Sequence, residues 1–80
     1  MPTVLRTRGF RLYFYSHEPN EPPHVHVDRG PASVKIWLEP VTLARNAGFS
    51  ARELGEVLRL VRDHQSQLLE AWHGFFGTGR

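Results

Sequence analysis

The chain has no cysteine, a single lysine and no long apolar run. Each shortage excludes something. Without cysteine there is no disulfide framework and no thiolate metal site, a composition that suits a reducing compartment. No stretch approaches the roughly 20 apolar residues that a membrane-spanning helix needs. The opening "MPTVLRTRGF" also lacks the apolar core of a secretory leader, so a cytoplasmic protein with no membrane partner is expected. There are no internal repeats, no low-complexity tracts and no Gly/Ser/Pro-rich linker. The 80 residues therefore read as one domain, 1–80, with one modest core.

Positive charge is carried almost wholly by arginine: nine of the ten basic residues are Arg, and Lys35 is the tenth. Arg is the better bidentate partner for phosphate and carboxylate. A net charge of +2 permits a nucleic-acid partner without requiring one.

The hydrophobic pattern changes period along the chain. From about residue 3 to 38 it alternates as strands do. "TVLRT" is a short strand and Arg8-Gly9 a turn. "FRLYFYS" then puts Phe10, Leu12 and Phe14 on one face and Arg11, Tyr13 and Tyr15 on the other. The Pro-rich segment from Glu18 to Pro23 cannot continue a paired strand, because proline has no N–H to donate. "HVHVD" alternates again, Arg29-Gly30-Pro31 turns the chain, and "SVKIWL" places Val34, Ile36 and Leu38 with the apolar set. "VTLARNAG", after Pro40, fits either a short strand or a helical turn.

From about 50 to 76 the period is helical. Ser50 and Glu53 have the spacing of a capping box. Leu54, Val57, Leu58, Val61, Leu68, Trp72 and Phe75 follow one stripe, interrupted by the polar Gln65. A continuous helix over these residues would span about 39 Å, against about 20 Å for a six-residue strand. It must overhang the sheet, break near Asp63–Gln65, or pack its end on something else. The expected fold is α+β: an antiparallel sheet of about four strands covered on one face by a long C-terminal helix. In the tail, Trp72, Phe75 and Phe76 either complete the core or form a contact with a partner or a second copy of the chain.

Chemistry concentrates in "YSHEPNEPPHVHVDRG", residues 15–30, which holds three of the five histidines. On a strand His24 and His26 point the same way, and Asp28 continues their row. Arg6, Arg11, Tyr13, Tyr15, Lys35 and Trp37 share that face. Three readings fit. In the first, His24 and His26 act as general acid and base with Asp28 orienting His26, while Arg11, Lys35, Tyr13 and Tyr15 hold a phosphodiester, as RNA cleavage requires. In the second, the face binds without chemistry: Tyr, Trp and Arg stack bases, contact phosphates or anchor a protein. In the third, His24 and His26 ligate a divalent metal with Asp28, His17 or Glu18 as a third ligand, although H-x-H spacing alone specifies no such set and no metal ligand is assigned. Against all three stands a purely structural role, with His24 bonded to the Pro-rich loop and His26 in a cross-strand pair with tyrosine. His64 and His73, on the helix, read as surface or dipole-compensating residues.

The blocks "PPHVHV", "WLEPV" and "NAGFS" together resemble the small bacterial family called domain of unknown function 4160, and the resemblance runs from Met1 to about Phe76. It implies a component of a toxin–antitoxin module, more in the manner of the toxin, whose cognate partner is a second small protein from a neighbouring gene. Pro23, His24, His26, Trp37, Pro40, Asn46, Gly48 and Phe49 match the family's motif positions. His17 stands where the family more often carries a small polar residue, which counts against it as a ligand. Function by resemblance is an associational argument and supplies no mechanism.

Overall fold

The computed structural model of the protein describes residues 3–15 and 20–77. Its elements are β1 (Thr3–Thr7), β2 (Phe10–Tyr13), β3 (His24–Arg29), β4 (Ala32–Leu38), β5 (Val41–Ala47), α1 (Ala51–Asp63) and α2 (Gln65–Phe76). The strands form one antiparallel meander in chain order, β1-β2-β3-β4-β5. The hairpin turns have the chemistry their lengths demand. Arg8 and Gly9 both take positive φ, 54° and 81°, as a two-residue type I′ connection requires. Gly30, at φ 59°, fills the first loop position between Arg29 and Ala32.

The apolar face is the one the alternation predicts. Phe10, Leu12, Phe14, Val25, Val27, Val34, Ile36 and Leu38 are all buried, and they join Val57, Leu60, Val61, Leu68 and Trp72 of the helices in one core. Register explains the match. Leu12 lies opposite Val27, Val27 opposite Val34, and Val25 opposite Ile36, so each apolar side chain meets another across the ladder.

Two features correct the expected architecture. First, the sheet has five strands, because "VTLARNA" is β5. Ile36 pairs with Leu43 but Lys35 pairs with Arg45, so Ala44 is an extra residue at a bulge. The bulge breaks strict alternation, and this makes the segment ambiguous as a pattern. Second, the helix is two helices divided at His64. That residue leaves helical geometry at φ −113° and ψ 15°. Its N–H is shared between the Leu60 and Val61 carbonyls at 3.2 Å each, and its ring Nδ1 donates to the Leu60 carbonyl at 2.9 Å. The ring adds a second donor to the Leu60 carbonyl, whose own i+4 N–H is divided with Val61. Gln65, the polar break in the stripe, then donates its amide to the Leu38 carbonyl at 2.7 Å and ties the start of α2 to the sheet.

The connection into α1 is locked locally. Asn46 donates to the Phe49 carbonyl at 3.0 Å and accepts the Phe49 N–H at 3.2 Å. Gly48, at φ 105°, passes so close to Ala32 that a Cβ would stand 3.3 Å from the Ala32 Cα. Both halves of the capping box form: Ser50 Oγ accepts the Glu53 N–H at 3.1 Å, and Glu53 accepts the Ser50 N–H at 2.9 Å. "NAGFS" is thus a strand-to-helix joint.

Candidate functional site

The second face of the sheet is organised as cross-strand rows. Arg6, Arg11, Asp28, Ser33 and Ala47 form one, Tyr13, His26, Lys35 and Arg45 the next, and His24, Trp37 and Thr42 a third. The structure therefore brings together every residue of the proposed face: His24, His26, Asp28, Arg11, Tyr13, Tyr15, Lys35 and Trp37.

It does not leave them open to solvent. His24 is 0% exposed, Tyr13 3% and His26 6%. Of these three, Tyr13 is the one expected to stack bases, and it is covered because the three pack ring on ring. His26 stacks on Tyr13 at 5.4 Å between centroids, and Tyr15 meets His26 edge-on at 4.5 Å. His24 is packed between His26 at 5.1 Å, Trp37 at 5.6 Å and Trp72 of α2 at 4.9 Å. Alternation tells which face a side chain takes, but not how much its neighbours cover it.

The roles of the two histidines separate. His24 Nδ1 lies 2.9 Å from the Pro22 carbonyl, which can only accept, so this nitrogen carries the proton. The Glu21 carboxylate stands 3.8 Å from the same nitrogen. Enclosed on all sides and bonded to the proline loop, His24 has no surface on which to meet a substrate. His26 does: its edge reaches a cleft of about 330 Å³ lined by Tyr15, His26, Ser33, Val34, Lys35, Arg45 and Ala47.

Asp28 also differs from its expected part. Both its oxygens accept the Tyr13 hydroxyl, at 3.0 and 3.1 Å, so the orienting bond goes to the phenol. Burial first, then hydrogen bonding with Tyr15 and Asp28 and the charge of Asp28, push the Tyr13 phenol well above its ordinary value of 10.0. Tyr13 stays protonated and is a proton donor to Asp28. Arg11 lies over the Tyr13 ring at 4.6 Å and donates to the Thr3 hydroxyl at 2.9 Å. Lys35 is held by the Glu21 carboxylate and sits 4.8 Å over Trp37.

Among the described residues, no three His, Asp or Glu side chains gather as a metal-ligand set. His17 and Glu18, named as third ligands, lie outside the described residues. The interface set is divided too. Trp72 is 2% exposed and packs against Phe14 and Phe76, so it belongs to the core and offers no surface to a partner, whereas Phe75 is 47% exposed. Arg45, Ser33 and Glu21 are the site residues that sequence reasoning missed. Arg45 and Ser33 become visible only once β5 and its register are known. Glu21 reads as a turn residue until the loop is seen returning to Lys35.

A five-stranded meander, with two helices on its apolar face and an imidazole–aromatic layer beside a basic cleft on the other, defines a small α+β domain. The chain belongs to the family described as a domain of unknown function (DUF4160), whose model matches residues 9–73. No curated protein and no solved structure matches it significantly. Among the described residues no helix is long and apolar enough to cross a membrane.

Proposed function

We propose that the chain is the RNA-binding component of a small two-protein module of the toxin–antitoxin kind, and that it grips a phosphodiester in the cleft beside His26. The observation that carries this reading is the lining of that cleft: Arg45 supplies positive charge, Lys35 adds its own on exchanging Glu21 for a phosphate, and Tyr15, Ser33 and the His26 edge supply hydrogen-bonding groups. Phosphate contacts of this type dominate affinity for a single strand and need no base readout. The enclosed position of His24 favours binding over a two-imidazole acid–base mechanism, and His26 is the imidazole placed to touch a bound strand. The partner from a neighbouring gene is inferred from family resemblance.

The test is anisotropy of labelled single-stranded RNA across a salt series. Lys35→Gln with Arg45→Gln should weaken binding and reduce the magnitude of the salt slope by roughly 1.4, about 0.7 for each single-strand phosphate that is no longer neutralised. An unchanged slope would remove the cleft from the binding surface. Cleavage of the RNA that disappears in His26→Ala would replace the binding reading with a catalytic one.

A further inference from the structure

A second basic cavity lies away from the histidine face. It holds about 450 Å³ and is lined by Arg8, Arg52, Gly55, Glu56 and Arg59. Arg8 comes from the β1–β2 turn, where its own φ of 54° is set by the tight hairpin. The others come from α1. Positions 52, 55 and 59 are spaced three and four apart, so they form one stripe on the helix surface. That stripe is the face turned from the core, since Val57, Leu60 and Val61 are the buried residues of α1.

Two observations make this more than a patch of solvated charge. The charge balance of the lining is positive. Arg29 holds Glu53 at 3.1 Å and lies 3.8 Å from Glu56, while Arg8, Arg52 and Arg59 have no ion-pair partner among the described residues and set three guanidiniums against the single Glu56 carboxylate of the lining. The second observation is Gly55. Glycine inside a helix lowers its stability relative to alanine, and here the fold does not call for it, because an added Cβ would meet nothing within 4 Å. Gly74 in α2 is equally open but lies outside this cavity. At Gly55 the missing side chain exposes bare helix between two arginines.

We propose that Arg8, Arg52 and Arg59 form a phosphate-ester site whose floor is the helix surface at Gly55. Three guanidiniums present more donors than the two oxygens of a carboxylate can accept, whereas a phosphate group offers three or four acceptor oxygens and up to two charges. The phosphate can be that of a free nucleotide or of an RNA strand. The site is independent of the cleft beside His26.

Amide chemical shifts of the full-length protein, titrated with inorganic phosphate, a nucleoside 5′-monophosphate, a short single-stranded RNA and acetate, test this. The Gly55 amide and its α1 neighbours should shift saturably with a phosphate-bearing probe. Response to the monophosphate identifies the free ester as a ligand, and response to RNA alone identifies strand phosphate. Arg52→Gln with Arg59→Gln should weaken binding about tenfold or more. Gly55→Leu should block it while leaving the melting temperature unchanged or higher, which separates occlusion from unfolding. Lys35→Gln with Arg45→Gln should leave the Gly55 response to inorganic phosphate and to the monophosphate unchanged. The proposal is overturned if no probe gives a saturable shift, if acetate binds as well as phosphate, if Gly55→Leu binds like the parent, or if the Lys35 and Arg45 changes abolish that response.

Discussion

Tyr13 donates its hydroxyl to both oxygens of Asp28 from a position almost closed to solvent, and this arrangement ties the polar face to alkaline pH. Its folded-state pKa is raised above the ordinary 10.0. The unfolded chain therefore releases this proton first as pH rises, so the contribution is fully present below 10.0 and is lost above it. Urea unfolding at neutral pH and just above 10.0 should show a stability loss on the alkaline side that is smaller in Tyr13→Phe. At neutral pH the same variant should be less stable by about 1 kcal/mol, the typical net worth of one hydrogen bond. An identical alkaline loss in both proteins would assign it to another group. The residue scale also shows what a period of two can and cannot reveal. It places His24, His26 and Asp28 on one face, as found. It cannot show that Trp72, 48 positions along the chain from His24 (72 − 24), closes over that histidine, nor that Asp28 bonds Tyr13 from the neighbouring strand instead of His26 from its own.

At the scale of elements, strands β1 to β4 and the start of α1 are legible because local rules decide them: alternation, two-residue turns with glycine, and a capping box. Two elements stay undecided between alternatives for definite reasons. In β5 the bulge at Ala44 puts Leu43 and Asn46 on one face and Arg45 on the other, so the pattern does not choose between a period of two and one of 3.6. The division between α1 and α2 depends on Gln65 finding the Leu38 carbonyl, 27 positions earlier in the chain. This gives a prediction opposite to the one that the stripe alone suggests. Gln65→Leu completes the apolar stripe, yet it strips the Leu38 carbonyl of its partner and should destabilise the domain by about 1–3 kcal/mol. A more stable Gln65→Leu protein in a denaturant melt would show that the hydrogen bond does not anchor α2. Ser50→Ala, which opens the capping box, should cost about 1 kcal/mol by the same measurement. The Glu53 carboxyl is held below its usual 4.5 by the Ser50 backbone N–H first and by Arg29 next. Its stabilising effect is present above that value and fades as pH falls through the lowered one, so the difference between parent and Glu53→Gln should narrow in acid.

On the scale of the whole molecule, the aromatic tail decides how an 80-residue chain closes its core. Domains of this size bury a limited fraction of their surface, and total stability is of order 5–15 kcal/mol at most. Trp72 lies at the junction of the apolar core and the histidine layer, in contact with Phe14, Phe76 and His24. Trp72→Ala should cost about 3–5 kcal/mol, a large part of that total, and loosen His24 as well as the core. Phe75, only three residues on, faces outward and touches Phe76. Phe75→Ala should change stability by no more than about 0.5 kcal/mol, as for other exposed positions. Denaturant melts of both variants at two protein concentrations measure the difference. If Phe75→Ala proves as damaging as Trp72→Ala, and the parent's melting temperature rises with protein concentration, then Phe75 is buried in solution by a second copy of the chain. The tail would then serve as core on one side and as interface on the other.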